Sequence, residues 1–340
     1  YGAGAREPQF LLTSATLGNP GGHARALTGR TVTHLSEDTS ARSGRDWYVL
    51  QPPLLNEELG IRRSALQEAV LATARLVQDG KQVLLFCGSR QAAEEAVLNL
   101  RPLTGAAVRS YRSGLLPQER RHIERELQDG TVRAVAATSA LELGVDIGSV
   151  DAVVMAGYPG TAAAFRQQAG RAGRRNQKGL AVLTLGGSPL DQYLAAHPEH
   201  LFGTPSEQVL CDPDHLLIAL DHLRCAAFEL PVAAEETFGK YTKEEVQLLL
   251  DQLSEDGEIH QAGGTGWWIG QSYPAAELSL RNTGGGQVTL QADSGTVGTV
   301  DALSARWLTH PGAIYVHDGQ PFEVTALDLE ANTATLEPAD

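Results

Sequence analysis

No GxxxxGKS or GxxxxGKT string occurs in these 340 residues. The chain therefore has no glycine-rich P-loop with which to cradle β- and γ-phosphates. No acidic DExH-like run precedes residue 14 to hold Mg2+. Cysteine is scarce. Cys87, Cys211 and Cys225 are too few and too scattered for a zinc site, and so few thiols in so long a chain fit a reducing compartment. There is no run of 18 apolar residues and no visible signal peptide, so the sequence reads as a soluble, cytoplasmic protein with no membrane partner. The histidines, His122 and His310 among them, lack ligand spacing.

Positive charge is short as well, with a formal net charge of −14. At first sight that argues against a nucleic-acid partner, but the distribution changes the reading. Residues 1–79 carry 8 Lys and Arg against 8 Asp and Glu, residues 80–200 carry 14 against 11, and residues 201–340 carry 5 against 22. A phosphate footprint belongs in the middle segment. The acidic last part is not expected to grip DNA strongly.

A hydrophobic content of 42% builds sizeable cores, and 340 residues accommodate two to three domains. FLLT (10–13) reads as an apolar strand, followed by SAT (14–16) and an extended GNPGGH connector (18–23). DWYVLQPPLL (46–55) is a strand stopped by Pro52 and Pro53. Residues 64–80 form an amphipathic helix capped by Ser64, with Leu66, Val70, Ala74 and Val77 on one face and Gly80 at its end. Strands at 83–87, 107–110, 132–137, 151–155 and 180–185 alternate with helices, including 90–100 and 117–130. That alternation implies an α/β fold with a parallel sheet and right-handed crossovers.

After residue 201 the pattern changes. Helices near 213–227 and 242–256 lead into EIHQA, GGTG and WWIG, which is a winged-helix pattern. Trp267 and Trp268 invite base stacking, yet the local acidity favours one tryptophan facing the core and the other packing on a neighbouring domain. Short β runs over 275–340, with DGQ (318–320) as a hairpin turn, read as a small β-barrel.

The string QQAGRAGRR (167–175) is the most informative one. Arg171 and Arg174 lie three apart, a spacing that shares one helical face, with small residues between them. Guanidinium forks suit phosphate oxygens, and a pair reaching a γ-phosphate from a neighbouring domain acts as an arginine finger. By itself the string could be a basic, solvated helix start. It is accompanied by VLLFCGSR (83–90) and ATSALELGVDIG (137–148), each an apolar strand ending in a polar loop. Hydroxyls at the carboxyl ends of parallel strands sit where open α/β sheets bind ligands. Ser89 could instead cap a helix, Thr138 could be a buried strand residue, and Asp146 could belong to an Asx turn.

In order and spacing these strings resemble motifs III (SAT), IV, V and VI of the superfamily 2, DEAD/DEAH-like, DNA helicases. YRSG (111–114), GYPGTAAAFRQQAGRAGRR (157–175), SPLDQYLAAHPEHLF (188–202), HLRCAAFELP (222–231) and HPGAIYVHDGQPFEV (310–324) are similar to the Hrq-type branch, which includes bacterial mitomycin-repair helicases. The resemblance implies four parts. These are the tail of a first RecA-like domain (1–30), a second RecA-like domain (31–205), a winged helix (206–272) and a small β-barrel (273–340).

The resemblance also implies roles. Arg171 and Arg174 meet the γ-phosphate with Gln167 in support, and Gly144 and Asp146 meet the ribose side. Ser89, Arg112, Ser113 and Thr138 touch nucleic-acid phosphates, and Ser14 and Thr16 couple the two motor domains. The expected cofactors are ATP and Mg2+, held jointly with a first RecA-like domain that the chain lacks. The expected partners are single-stranded or forked DNA, that first domain, and a C-terminal zinc region of the same protein. The chain is thus expected to be a fragment of a 3′-to-5′ DNA repair helicase, inactive alone as an ATPase. Alternatives are an RNA helicase, a double-strand translocase, or a non-enzymatic, degenerate RecA-like module. The last has no chemical need for both arginines.

Overall fold

The computed structural model describes residues 9–37, 39, 44–142, 147–148, 150–173, 178–212, 214–233, 235–278 and 287–339. After α1 (Pro20–Thr28) come β1 (Arg45–Leu50), β2 (Leu54–Asn56), β3 (Ile61–Arg62), α2 (Ala65–Gln78), β4 (Val83–Phe86) and α3 (Arg90–Thr104). Next are β5 (Val108–Tyr111), α4 (Pro117–Gln128), β6 (Ala134–Ala137), β7 (Ala152–Ala156), α5 (Ala162–Gly170), β8 (Gly179–Thr184), α6 (Pro189–Ala196) and α7 (Glu199–Gly203). Then follow α8 (Leu216–Glu229), β9 (Val232–Ala233), α9 (Lys243–Glu255), β10 (Ile259–Ala262), β11 (Thr265–Trp268) and α10 (Pro274–Glu277). The chain closes with β12 (Gln287–Ala292), β13 (Gly295–Asp301), α11 (Ala302–Leu308), β14 (Ile314–His317), β15 (Gln320–Asp328) and β16 (Thr333–Pro338). Two compact units form: Tyr1–Thr13, Asn19–Leu35 and Gln208–Gly285 in one, and Ser14–Gly18, Ser36–Glu207 and Gly286–Asp340 in the other.

In the larger unit β1, β8, β7, β4, β6 and β5 lie side by side in that order as an all-parallel sheet. The central strands VLLF, AVAA and AVVMA are apolar at every position because helices cover both faces. Leu84, Phe86, Val135, Ala137, Val153 and Met155 point to one core, shared with Ile123, Leu127 and Phe165 of α4 and α5. Val83, Leu85, Ala134, Ala136 and Val154 point to the other, shared with Ala69, Val70, Ala93 and Val97 of α2 and α3. Local signals work as read: the Ser64 side chain accepts from the Gln67 N–H at 3.1 Å to start α2.

The same unit holds a curled five-stranded sheet in the order β13, β12, β16, β15, β14. Val288, Leu290, Val324, Leu336 and, from α11, Ala305 form its core. The sequence reading of a small barrel stands as this curled sheet. Among the described residues its edge strands β13 and β14 do not pair with each other. The short β runs are interrupted by the helix α11, where Ala302, Ala305 and Leu308 recur at helical spacing.

In the smaller unit α8 and α9 pack on the antiparallel sheet β10, β11, β9 through Leu223, Val246, Leu250, Leu253 and Ile259. The β10–β11 hairpin turns at Gly263 and Gly264, as a winged helix requires. Two expectations fail here. Residues 10–13 form no strand, and Leu11 is 85% exposed; an apolar run becomes a strand only where a neighbour takes its ladder hydrogen bonds. The GNPGGH connector is not extended but turns into α1, because Pro20 sits in the first helical turn, where no N–H is needed. Among the described residues no helix is long and apolar enough to cross a membrane.

Candidate nucleotide and nucleic-acid site

The parallel sheet presents two separate chemistries at its two ends. At the carboxyl ends of the neighbours β4, β6 and β5 stand Ser89, Thr138 and Ser113, the positions where open parallel sheets collect ligands. The exposed Ser89 caps α3, its Oγ accepting from the Ala92 N–H at 3.1 Å. Ser113 Oγ accepts from Arg90 Nε at 3.1 Å, which ties the loop after β5 to the start of α3. Thr138 lies just beyond β6 and is half-buried, with its N–H donated to the Tyr111 carbonyl at 3.1 Å. It is therefore not a core strand residue.

Arg112 is placed differently from the expectation that it touches a phosphate. Its side chain is 1% exposed and pairs with Glu94, itself 2% exposed, through Nε at 2.7 Å. Its Nη2 donates to the Val316 carbonyl at 3.3 Å and faces His317 Nδ1 at 3.1 Å, and the guanidinium lies over the Tyr315 ring at 5.2 Å. An arginine so enclosed presents no exposed donor to a strand passing over the sheet. Burial pushes the Tyr315 phenol up, and it pushes the Asp318 carboxyl above its usual range against the pull of Arg101.

Residues 167–173 of the QQAGRAGRR string lead to the other end of the sheet, where Ala172 bridges Val150 just before β7. α5 carries Gln167 and Gln168 in its last turn and stops at Gly170. The reading of Arg171 and Arg174 on one helical face is therefore not met where the chain is described. Arg171 is the helix C-cap, Ala172 bridges Val150 in parallel, and Gly173 has φ 105°. A left-handed backbone at residue 173 cannot continue a helix.

The segment is pinned on several sides. Val150 N–H donates to the Arg171 carbonyl at 3.1 Å, and Gly173 N–H to the Val150 carbonyl at 2.9 Å. Arg45 donates from Nε and Nη2 to the Ala172 carbonyl at 3.2 and 3.0 Å. A Cβ on Gly179, at the start of β8, would stand 2.5 Å from Gly173 N and 2.6 Å from the Ala172 carbonyl carbon, so only glycine fits there.

Glu142 links the loop after β6 to this segment. Its carbonyl accepts from Arg171 Nη2 at 2.8 Å, and its carboxylate accepts from Gln168 Nε2 at 2.6 Å. Gln167 donates its side-chain amide to Thr16 Oγ1, while Ser14 is exposed. Gly144, Asp146 and Arg174 lie outside the described residues. Sequence reasoning missed Glu142, Arg45, Glu94 and His317. A signal existed only for Glu94, an acid three residues before Val97 on the apolar stripe of α3.

Of the cysteines, Cys87 is buried, and burial together with Glu95 pushes its thiol up to about 12; Cys211 is exposed and Cys225 half-buried. Among the described residues no group of three or more His, Cys, Asp or Glu is arranged to hold a metal.

An all-parallel, doubly covered sheet with hydroxyls at one end and a pinned arginine segment at the other defines a RecA-like helicase motor domain, here accompanied by a winged helix. Residues 63–176 match the helicase conserved C-terminal domain, and residues 211–283 match the winged helix domain of ATP-dependent helicase HRQ1. In both domains the chain is similar to the Hrq-type, MrfA-like branch of superfamily 2 helicases.

It is 39% identical to "Uncharacterized ATP-dependent helicase YprA" of Bacillus subtilis over 98% of this chain and 46% of that protein. It is 31% identical to ATP-dependent helicase HRQ1 of Saccharomyces cerevisiae over 98% of this chain and 32% of that protein. The crystal structure of the DUF1998 helicase MrfA bound to DNA and AMPPNP matches with a TM-score of 0.84 and 38% identity, over 98% of this chain and 48% of that one. The chain thus spans less than half the length of these relatives.

Proposed function

We propose that this chain is the second motor domain, with accessory domains, of an ATP-dependent DNA helicase acting in repair with 3′-to-5′ polarity. Its domains divide at 1–30, 31–205, 206–272 and 273–340. The observation that carries this reading is the separation of chemistries across one sheet, with hydroxyls at the carboxyl ends and the arginine segment at the amino end. The likeness to a helicase solved with DNA and AMPPNP supports it. Three free cysteines support a cytoplasmic setting.

ATP with Mg2+, bound against a first RecA-like domain, supplies a phosphoanhydride whose hydrolysis drives the cycle. The donor set fits a polyphosphate, since guanidiniums at 171 and 174 suit the charge that gathers on the outer phosphate in the transition state. Gln167 supports that segment, and by the same resemblance Gly144 and Asp146 serve the ribose. Across the sheet Ser89, Ser113 and Thr138 hold a single strand by its phosphates, contacts that position without reading sequence. Arg112 supports this set from behind. A C-terminal zinc region of the same protein is a further partner.

The test is ATP hydrolysis by the full-length protein with single-stranded DNA, RNA and duplex in parallel. Single-stranded DNA gives the strongest stimulation. Arg174→Ala lowers the stimulated rate by about a thousandfold or more while strand affinity stays within about threefold. The chain alone hydrolyses no ATP. Stimulation by RNA only, or by duplex only, assigns the motor to the other nucleic acid, and wild-type hydrolysis by Arg174→Ala removes the arginine assignment.

A further inference from the structure

Behind the strand-facing loop stands a set of polar groups that the proposed motor chemistry leaves unused. The tip of the β14–β15 hairpin reaches the α3–β5 edge of the parallel sheet. Arg101 donates from Nη1 to the Asp318 carbonyl and from Nη2 to Asp318 Oδ1, each at 2.9 Å. Both carboxylate oxygens of Glu94 are engaged. Its Oε1 accepts from Arg112 Nε at 2.7 Å and Ser110 Oγ at 2.8 Å, and its Oε2 accepts from the Gly319 N–H at 3.0 Å.

His317 continues the chain of contacts. Its Nδ1 faces Arg112 Nη2 at 3.1 Å and its Nε2 faces Glu119 Oε1 at 3.3 Å. Arginine only donates, so the neutral ring accepts at Nδ1 and donates from Nε2. Glu119 Oε2 in turn accepts from the Leu116 N–H at 3.0 Å.

The loop from Arg112 to Leu116 is therefore held at both ends by groups that meet on His317. Its middle is held too, since the Gly114 carbonyl accepts from the Thr299 N–H of β13 at 3.0 Å. Gly114 has φ 97°, and a Cβ there would stand 2.4 Å from the Thr299 carbonyl, so the approach of β13 requires glycine. The Ser113 hydroxyl bonds Arg90 rather than the accessory sheet. A hydroxyl contributes to a phosphate grip only if its loop holds within about 0.5 Å of the productive geometry.

We propose that the C-terminal curled sheet is the positioning element of the strand grip, with His317 and Asp318 holding Arg112 and Arg101 so that Ser113 is preset against the nucleic-acid backbone. This rests on the reading of Ser113 as a phosphate contact. His317 is a positioning residue and touches neither strand nor nucleotide.

The experiment titrates labelled oligo(dT) with the full-length protein and with Ser113→Ala, His317→Ala, His317→Asn and the Ser113→Ala/His317→Ala double variant, and records Tm for each. Ser113→Ala and His317→Ala each weaken affinity about threefold to tenfold, the worth of a hydrogen bond. The double variant is no weaker than the poorer single, because both act through one contact. His317→Asn, whose amide oxygen replaces Nδ1 as acceptor for Arg112, returns affinity to within about twofold of wild type. Unstimulated ATP hydrolysis by His317→Ala stays at the wild-type rate.

Wild-type affinity in His317→Ala beside a weakened Ser113→Ala overturns the inference, as do losses that multiply in the double variant. Wild-type affinity in Ser113→Ala overturns the grip itself and the inference with it. If His317→Ala does not fold, Asp318→Asn carries the same comparison.

Discussion

The side-chain amide of Gln167 donates a hydrogen bond to the hydroxyl of Thr16. It joins the SAT string to the QQAGRAGRR string across 151 residues of sequence. The expected coupling role of Thr16 thereby acquires a partner at the end of α5, one residue before Gln168 and four before Arg171. Thr16→Val removes the acceptor at nearly constant volume. In the full-length protein it leaves stimulated ATP hydrolysis within about threefold and lowers strand separation per ATP by about tenfold, in the range of a coupling energy of 1–3 kcal/mol. Parallel hydrolysis and unwinding rates check this; equal losses in both contradict a coupling role.

Gly179 makes a second, purely structural prediction. A methyl group there meets the Ala172 and Gly173 backbone at 2.5–2.7 Å. Backbone yields less readily than a side chain, so Gly179→Ala destabilises by about 1–3 kcal/mol. It also displaces the arginine segment, and stimulated hydrolysis falls although residue 179 meets no ligand. Thermal unfolding and hydrolysis of the variant are the measurements. A lowered Tm with full activity separates the packing from the arginines.

Glu207 anchors the start of α5. Its carboxylate accepts from the Ala162 N–H at 2.6 Å and the Ala163 N–H at 3.0 Å. These backbone donors hold it below the usual glutamate range. A depressed carboxyl contributes stability that is present above its unfolded value and lost as pH falls through its folded value. Glu207→Gln therefore melts below wild type at pH 7, by the Tm equivalent of about 0.3–1 kcal/mol for an exposed charge at a helix start. The gap closes as pH falls below the ordinary glutamate range. A gap that persists at pH 2 assigns the difference to shape instead of charge.

The acidic accessory part tests the charge argument. Arg224 meets Glu258 and Asp221 at 2.6 and 3.2 Å, Lys243 meets Glu235 at 2.7 Å, and Lys240 meets Asp212 and Asp214 at 3.6 and 3.5 Å. Cations already facing carboxylates release few counterions to DNA. In the winged helix Trp268 turns to the core, edge-on to Phe228, while Trp267 on the same hairpin is exposed. With the β10–β11 hairpin read as a strand-separating wedge, Trp267→Ala in the full-length protein keeps oligo(dT) affinity within about twofold and slows unwinding of a forked duplex. Stacking on a bound base costs about 1–3 kcal/mol when lost, so a tenfold or greater loss of affinity makes Trp267 a strand contact and retires the wedge.

What the sequence by itself determined is local. The apolar runs of β4, β6 and β7 allow only a sheet covered on both faces, and Ser64, Ser89 and Thr242 start helices where a hydroxyl precedes a periodic stretch. The motif strings likewise carried the family, because the residues of each lie within a few positions of one another.

Tertiary structure decided what depends on distant partners. Arg112 reads as a phosphate ligand until Glu94 and a hairpin 205 residues away enclose it. Residues 10–13 read as a strand, yet among the described residues none pairs with them in a ladder. The segment carrying Arg171 reads as helix, yet Val150, Arg45 and the bare Cα of Gly179 hold it as a bridge. In each case local preference is worth about a kilocalorie per mole or less, and a buried ion pair, a satisfied ladder or a steric contact outweighs it.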